Sequence, residues 1–462
     1  MKNASEMARD VLKRRDEYDK KRDNREKRKV VKEIVAFVIP VCVVLVSFVL
    51  LLTGRGQRQE TTVKAADLLE GIAPMPVTPK YDLTMEGRVM TDFGVRLLRE
   101  EAKKGGNILI SPISVLYSLG MLGNGAENQT RAQMEKAIGM KVEDLNLCLY
   151  SYRTALKKYS KCRLLQANSI WFRKDGKYHM NQNFLQTCAD YYEADLFRLP
   201  FDDAMVREVK KWASEKTEQE SSDILNEAPQ EASVCIVNAL SFEAGWQQPF
   251  PEERIRYGDF QLESGETVTI RFLSGAGNLW ISTDREYGFL KYYDAKEGRR
   301  YAFVALLPKG EISLEEYLEE FTGKSLHFAI WSAYDFLPLV EIPIFTQDYQ
   351  TDLADSLRAM GIENAFNPDL AEFGLMGSME GEGAVHGNER ETFLGEVIQK
   401  TVLSVDEQGT RAGAASMGGA TMQWKIGGED ERVTLSKPFV YAVIDCQTYV
   451  PLFLGVYRVP ER

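Results

Sequence analysis

Histidine is scarce in this chain: only His179, His327 and His386 occur among 462 residues. A Gly-x-Ser-x-Gly segment is also missing, and none of the three histidines lies in a recognisable catalytic setting. The residues therefore give no support to a hydrolase, and we expect that the protein is not an enzyme.

Cysteine is sparse as well, and no two of the six cysteines are close in the sequence. This spacing excludes the paired cysteines that are typical of zinc sites and redox motifs. Cys42 lies in a long apolar run, which leaves an odd number for the rest of the chain. Cys235 and Cys446 fall in apolar runs where a buried thiol is the ordinary state. We expect no metal site, no cofactor and no essential disulfide.

Positive charge is in deficit, since the formal net charge is -11 at pH 7. Phosphate binding needs a basic face, so we exclude nucleic acid as a partner of the main body. A short basic series, Arg153, Lys157 and Lys161, follows one face of a predicted helix. Such a series is typical of a solvated face, and an anionic cofactor site is the alternative.

One uncharged apolar run, at residues 34–53, is about as long as the ~20 residues that a helix needs to cross a hydrocarbon core. Basic residues are dense before it, whereas only Arg55 and Arg58 follow closely, which places the N-terminus in the cytoplasm. A cleaved signal peptide is the alternative, but its apolar stretch is usually only about 7 to 15 residues long.

We therefore predict four segments in a single-pass protein of the cell membrane. They are a basic cytoplasmic segment at 1–33, a transmembrane signal anchor at 34–53, a tether at 54–83 and an extracellular body at 84–462. The membrane is thus a predicted partner through the N-terminal helix.

The body has both helix and strand patterns. Ser111 and Pro112 form a helix start after a short β-prone run, and Gly139 is a helix stop. Branched and aromatic residues predict strands at 164–172, 234–242, 301–307, 393–405 and 439–444. Because helices come early and strands dominate late, the pattern indicates a mixed α+β fold.

The segment after the strand at 393–405 has an unusual composition, because almost every side chain that follows Gly409 is small. By β alternation one face carries Thr410, Ala412, Ala414 and Ser416, and none of these is charged or proline. Such a segment could enter the interior of a sheet without a clash. A flexible exposed linker is the alternative that composition alone favours.

Five short motifs of the body resemble those of the serpin family, in the family's order and at near-family spacing. The resemblance covers residues 84–460. The motifs are NILISPIS at 107–114, ANSIW at 167–171, VNALSF at 237–242 with the following Gly-Trp pair at 245–246, EQGTRAGAAS at 407–416, and KPF at 437–439 with LFLG at 452–455.

The resemblance implies the α+β serpin fold, with three β-sheets, about nine helices and an exposed reactive-centre loop at 408–432. It also implies a partner, a serine or cysteine protease, and a mechanism. The protease cuts the loop and forms an acyl-enzyme, and the loop then inserts into the main sheet before water can hydrolyse the ester.

The resemblance further assigns roles to individual residues. The hinge that starts the insertion consists of Glu407, Gly409, Thr410, Ala412, Ala414, Ala415 and Ser416. The shutter and breach, which control the opening of the sheet, consist of Ser111, Ser114, Asn238, Trp246 and Gln399. The family usually has histidine where Gln399 stands. Glutamine can also donate and accept hydrogen bonds, although the pH response should differ.

Family spacing places the reactive bond at Gln423 and Trp424, with Met422 and Lys425 as neighbouring candidates. Met422, Trp424 and Lys425 would suit elastase-like, chymotrypsin-like and trypsin-like proteases respectively. We expect a monomer that acts as a suicide inhibitor. The alternative is a non-inhibitory binding or carrier ectodomain, but such relatives often lose the small-residue run that this chain keeps.

Overall fold

The structure is a computed structural model, in which the chain divides into two units, Met1–Val63 and Lys64–Arg462. All residues that the structure describes belong to the second unit. They are residues 64–159, 163–174, 178–217, 224–294, 301–379, 392–410 and 432–460. The predicted cytoplasmic segment, the predicted anchor and the first part of the predicted tether lie outside these ranges.

Nine α-helices occur within the described residues, and they lie mostly in the first half of the chain. They are α1 (Thr84–Ala102), α2 (Pro112–Gly125), α3 (Asn128–Ile138), α4 (Val142–Tyr159), α5 (Gln182–Tyr191), α6 (Asp203–Thr217), α7 (Leu314–Glu320), α8 (Gly323–Trp331) and α9 (Ala354–Ala359).

Nineteen strands occur in the same ranges. They are β1 (Ala66–Asp67), β2 (Ile108–Ile110), β3 (Arg163–Arg173), β4 (Tyr178–Met180), β5 (Asp195–Leu199), β6 (Val234–Gly245), β7 (Arg256–Gln261), β8 (Thr267–Ala276), β9 (Leu279–Ser282), β10 (Glu286–Tyr292), β11 (Tyr301–Pro308), β12 (Leu339–Pro343), β13 (Phe345–Asp352), β14 (Gly377–Met379), β15 (Leu394–Val405), β16 (Gly409–Thr410), β17 (Arg432–Thr434), β18 (Phe439–Asp445) and β19 (Pro451–Tyr457).

The strands form three main sheets and one two-stranded pair, β14 with β4. The seven-stranded sheet has the order β1-β5-β3-β6-β16-β15-β13, the six-stranded sheet the order β2-β19-β18-β11-β10-β9, and the four-stranded sheet the order β17-β12-β8-β7. The predicted α+β fold with three sheets and about nine helices is confirmed.

Local sequence explains where helices α2 and α3 begin and end. Ser111 has an extended backbone and its Oγ accepts a hydrogen bond from the Ser114 N–H at 3.4 Å, while Pro112 occupies the first helical position. Both features are typical of a helix N-terminus. Helix α3 ends at Gly139, whose φ of 92° lies in the left-handed region that glycine adopts without strain.

The seven-stranded sheet is packed on both faces. One face joins the large core shared with the six-stranded sheet and helices α1 and α2. On the other face, helix α6 lies over β3 and β6, where Trp212 contacts Trp171 edge to face at a centroid distance of 6.2 Å.

 Helix α6 therefore covers β3 and β6 on that face, whereas alternate residues of the edge strand β13 are exposed.

Residues 64–83, the second part of the predicted tether, pack on the body. Strand β1 pairs with β5, and the Leu68 N–H donates to the Leu196 carbonyl at 2.8 Å. Farther along, the Met75 N–H donates to the Asp190 carboxylate at 2.6 Å. No local pattern predicts this packing, because a two-residue strand is too short to show alternation of apolar and polar residues.

The predicted localisation, a single-pass protein of the cell membrane with its body outside, is wrong. Within the described ranges, no helix is long and apolar enough to cross a bilayer. The longest of these helices, α1, carries charged residues along its whole length. The prediction was based on the hydropathy of residues 34–53, which lie outside the described part of the chain.

Candidate functional site

The candidate site is the gap between strands β6 and β15 in the middle of the seven-stranded sheet. At one end, the two-residue strand β16 lies between them and is antiparallel to both, with Thr410 opposite Val405 and Ala244. Beyond β16 the two strands pair directly and in parallel, with Gln399 opposite Asn238. The pair is thus separated at one end and closed along the rest of its length.

A tight turn brings the chain from β15 back into this gap. The Asp406 carboxylate accepts hydrogen bonds from the N–H groups of Gln408 and Gly409, at 2.8 and 2.9 Å, and the Asp406 N–H donates to the Gly409 carbonyl at 2.9 Å. An aspartate that bonds to the backbone two residues later is typical of a turn. The turn directs Gly409 and Thr410 into the sheet.

Gly409 occupies a position that only glycine fits. A Cβ added there would overlap the Ala244 carbonyl oxygen and would lie 2.7 Å from Gly245 Cα. The obstacle is backbone on both counts, so a side chain could not be accommodated by a simple rotation. The glycine therefore allows β16 to approach β6.

The breach, as we define it, consists of Trp246, Phe250 and Tyr293 around residues 406–410. The Trp246 indole is buried and stacks on the Tyr293 ring at a centroid distance of 4.6 Å, and its Nε1–H donates to the Asp406 carbonyl at 2.9 Å. The Phe250 N–H donates to the Glu407 carbonyl at 2.8 Å, and the Tyr293 hydroxyl bonds to Thr410 Oγ1 at 2.6 Å. These groups hold the start of the hinge between the strands.

A buried lysine lies against the breach. The Lys291 Nζ donates to the Ala276 carbonyl at 2.9 Å and lies 4.3 Å from the centroid of the Phe250 ring and 5.6 Å from that of Trp246. Because the side chain is almost fully buried, desolvation lowers the pKa of Lys291 to about 7. The charge of this ammonium group therefore changes near neutral pH.

The shutter, as we define it, consists of Ser111, Ser114, Ser118, Asn238 and Gln399, all buried. The Gln399 side chain bonds twice to the backbone of Ser111: its Oε1 accepts from the N–H at 2.8 Å, and its Nε2 donates to the carbonyl at 3.0 Å. Glutamine can make both bonds because it carries a donor and an acceptor. They tie β15 to the start of helix α2.

Asn238, on the neighbouring strand β6, has a separate partner in the shutter. The Ser118 hydroxyl donates to its Oδ1 at 2.8 Å. Its Nδ2 has no hydrogen-bond partner among the described residues, and neither has the Ser241 hydroxyl on the same strand. A buried polar group without a partner costs about 1–3 kcal/mol. The unpartnered atoms on β6 therefore lower the stability of this arrangement of strands.

The structure thus divides the predicted site residues into groups. Ser111, Ser114 and Gln399 are in contact, and Asn238 lies beside them in the middle of β6. Trp246 directly follows the end of β6 and lies near Glu407, Gly409 and Thr410. The remaining predicted residues lie outside the described part of the chain. They are Ala412, Ala414, Ala415 and Ser416 of the hinge, and Met422, Gln423, Trp424 and Lys425 at the reactive bond.

The basic series predicted on one helix face is described only at its first member. The Arg153 guanidinium is 3.7 Å from the Glu193 carboxylate and 5.5 Å from the centroid of the Tyr150 ring. Lys161 and the side chain of Lys157 lie outside the described residues. Arg153 thus has two partners within the body, while its Nη1 has no hydrogen-bond partner among the described residues. Among the described residues no group of three potential metal ligands occurs.

Sequence reasoning did not identify Ser118, Tyr293 and Lys291. A signal for Ser118 was present, because Ser111, Ser114 and Ser118 recur on one face of a helix. The other two residues follow each other closely on and after β10 and carry no local signal of their contact with the hinge. Their role depends on a pairing between distant parts of the chain.

Comparisons with known proteins agree with this geometry. The family model described as "Serpin (serine protease inhibitor)" matches residues 88–460. Leukocyte elastase inhibitor of Equus caballus is 26% identical over 393 residues, which cover 80% of this chain and 98% of that protein.

Two solved structures extend the comparison. The native state of tengpin, a thermophilic serpin, aligns with a TM-score of 0.78 and 33% identity over 86% of this chain and 100% of its own. Thyroxine-binding globulin in complex with thyroxine aligns with a TM-score of 0.67 and 20% identity over 82% of this chain and 100% of its own, which shows a shared fold only. On the family match and this architecture, the chain belongs to the serpin family.

Proposed function

We propose that the protein is a suicide inhibitor of a serine or cysteine protease, with an inhibitory body at residues 84–462. The nucleophile of the protease attacks the carbonyl carbon of the scissile peptide bond, the C–N bond breaks, and the amine leaves with a proton. The N-terminal part of the cut loop stays joined to the protease as an ester or thioester. Insertion of that part into the sheet then precedes hydrolysis.

The position of β16 is the observation that carries this proposal. Gly409 and Thr410 already occupy the gap between β6 and β15, and the chain that follows them would continue along the same gap. Thr410 is completely buried there. The small side chains of the sequence after Thr410 would allow the insertion to continue without burying a charge.

Insertion would also replace a weaker arrangement of strands. The direct β6–β15 pair is parallel, whereas β16 is antiparallel to both neighbours. Parallel pairing is slightly less stable per residue than antiparallel pairing, and one ladder would become two. The unpartnered polar atoms of Asn238 and Ser241 lie on the strand that would gain the new neighbour. These features favour the inserted state over the uncut one.

Complex formation with proteases tests the proposal. The full chain is mixed with elastase-like, chymotrypsin-like and trypsin-like serine proteases and with a cysteine protease, and the products are separated in SDS. We expect an SDS-resistant complex with at least one of them. Simple cleavage of the loop by every protease would instead indicate a non-inhibitory binding or carrier protein.

A pair of hinge variants makes the test specific to insertion. Thr410→Arg places a long cation where the structure has a buried side chain, so we expect the complex to be replaced by cleaved protein. Arg411→Ala, on the opposite face by strand alternation, should leave complex formation intact. Equal behaviour of the two variants would contradict insertion at this gap.

Mass spectrometry of the peptide released by the protease locates the reactive bond. A peptide that begins at Trp424 is expected for cleavage between Gln423 and Trp424. A peptide that begins at Gln423 would move the bond to follow Met422, and this would favour an elastase-like target.

A further inference from the structure

The C-terminal end of the reactive loop is fixed in a different sheet from its N-terminal end. Residues 411–431 are preceded by β16 in the seven-stranded sheet and followed by β17 in the four-stranded sheet. The contacts of Phe250 place both attachment points of the loop at the same end of the body. Its N–H bonds to the Glu407 carbonyl, and its ring lies against Gly275, the residue opposite Val340 of β12.

Strand β17 is short and lies at an edge of its sheet. Among the described strands it pairs only with β12, through three residue pairs in parallel, and Thr434 is opposite Glu341. The Leu435 N–H adds a bond to the Glu341 carbonyl at 2.9 Å. So short a parallel pair needs side-chain support to stay in place.

Glu341 gives that support from a buried position. Its carboxylate is 2% exposed, accepts a hydrogen bond from Thr434 Oγ1 at 2.6 Å, and accepts another from Arg256 Nε at 2.7 Å. Arg256 belongs to β7, so one carboxylate joins β17 to a strand on the opposite edge of the sheet. Burial raises the pKa of Glu341, but the bonds from Arg256 and Thr434 outweigh it and hold the pKa below its usual range.

The length of the reactive loop limits how far it can insert while β17 stays attached to the four-stranded sheet. Since Thr410 is opposite Val405, continued insertion would place Thr421 opposite Leu394, at the far end of β15. The inserted strand would run from Thr410 to Thr421. The chain from Thr421 to Arg432 has the same number of residues, and it would have to run back along the whole length of that strand to reach β17. Fully extended it would span roughly 36–40 Å against roughly 37 Å of strand. An uncut loop therefore has no slack for complete insertion while β17 stays in its sheet.

We propose that Glu341 is a positioning residue for the reactive loop: through Thr434 it holds β17 in the four-stranded sheet and so prevents an uncut loop from inserting completely. The proposal rests on the proposed inhibitory function. A protease cut separates Thr410 from β17, so the same attachment does not oppose insertion after cleavage. Glu341 thereby slows the conversion of the uncut protein to the form with an inserted loop.

Thr434→Val tests the contact, because it removes the hydroxyl and keeps the side-chain shape. Thr269→Val is the matched control: Thr269 Oγ1 bonds to the Asp259 carboxylate at 3.0 Å, between β8 and β7 of the same sheet and away from β17. Each full-length variant is incubated without protease, and the fraction converted to a heat-resistant monomer is followed over time. We expect Thr434→Val to convert about tenfold or more faster than the parent, as for loss of a hydrogen bond to a charged group, and the control to convert at the parent rate.

Hydrogen exchange of the peptide at 432–436 provides a second measurement. We expect faster exchange in Thr434→Val and in Glu341→Gln than in Thr269→Val. Equal exchange in all variants would show that Glu341 does not hold β17. Faster exchange without faster conversion would show that β17 does not limit insertion, and either result overturns the proposal.

The test also separates this proposal from the proposed function. Conversion and exchange are measured without a protease, so they report on Glu341 even if no protease forms a complex. Freshly prepared Thr434→Val should still form the complex in the same yield as the parent. A parent that forms no complex with any protease would defeat the inhibitory function alone.

Discussion

The breach and the shutter belong to the same strand pair but differ in state. At the breach, β16 separates β6 from β15, and aromatic rings hold the hinge in the gap. At the shutter, the two strands pair directly, and Gln399 ties β15 to helix α2. The comparison teaches that the strand pair is already separated at one end and closed in the middle, so the proposed insertion would begin at the breach and would have to break the contacts of the shutter.

The first way to break this comparison is to remove the aromatic support of the breach. Trp246→Ala should lower the free energy of unfolding by about 3–5 kcal/mol, because a buried indole and its packing on Tyr293 are lost. Denaturant unfolding measures the effect. Trp331→Ala is the control, since Trp331 is 67% exposed and should change stability by less than about 0.5 kcal/mol. Equal losses of unfolding free energy in the two variants would show that Trp246 does not support the breach.

Lys291 makes the breach, and not the shutter, sensitive to pH. With its pKa lowered to about 7 in the folded protein from 10.5, the unfolded chain binds more protons between these values, so native stability rises with pH across that window. Lys291→Met should remove this slope and stabilise the protein at pH 7 by up to about 4 kcal/mol, since each unit of the pKa change corresponds to about 1.4 kcal/mol. Thermal unfolding between pH 7 and 10 measures it.

The control for that measurement is Lys324→Met, which changes an exposed lysine on helix α8. It should keep the slope of the parent protein. A slope that persists in Lys291→Met would assign the pH dependence to another group and remove this difference between breach and shutter.

Gly409→Ala would sharpen the comparison, because a side chain at residue 409 should keep β16 out of the gap between β6 and β15. The added methyl group overlaps the Ala244 carbonyl, so we expect a loss of about 2 kcal/mol and displacement of β16. Hydrogen exchange at residues 406–410 should report the displacement. Gly245→Ala is the matched control on the facing strand, because the nearest obstacle to its Cβ is 3.6 Å away. Unchanged protection in Gly409→Ala would contradict the close approach.

Gln399→Leu tests the shutter side with a smaller expected effect. It leaves the N–H and the carbonyl of Ser111 without this partner, so the free energy of unfolding should fall by about 1 kcal/mol. The variant should also insert faster, because β15 is no longer tied to α2. Ser404→Ala on the same strand loses only an exposed bond to Thr346 and serves as the control. Insertion at the parent rate would place the resistance elsewhere.

The sequence predicted the local features of the fold well, because their causes are local. Ser111 and Pro112 mark the start of α2 by capping and by a fixed φ, and Gly139 ends α3 with a positive φ. The predicted strand at 234–242 lies within β6, and that at 393–405 differs from β15 by one residue. Alternating or continuous apolar runs are sufficient for such predictions.

The contacts of the site depend on pairings between distant segments, and these leave no local pattern. Gln399 could be named from the family resemblance, but its bonds to the backbone of Ser111 could not be predicted from either segment. The same holds for Tyr293 with Thr410, and for Glu341 with Arg256. Each pair meets only because the sheets bring the strands together.

Strand β1 has a consequence for how the molecules behave toward one another. It pairs with β5, whose other neighbour is β3, and so occupies the outer edge of the seven-stranded sheet. An uncovered edge strand offers its N–H and carbonyl groups to strands of other chains and promotes association. Because β1 has only two residues and one of them is Asp67, it covers part of β5 while offering little new edge of its own. A body shortened to begin at Thr84 would lack this cover and should associate more readily at high concentration.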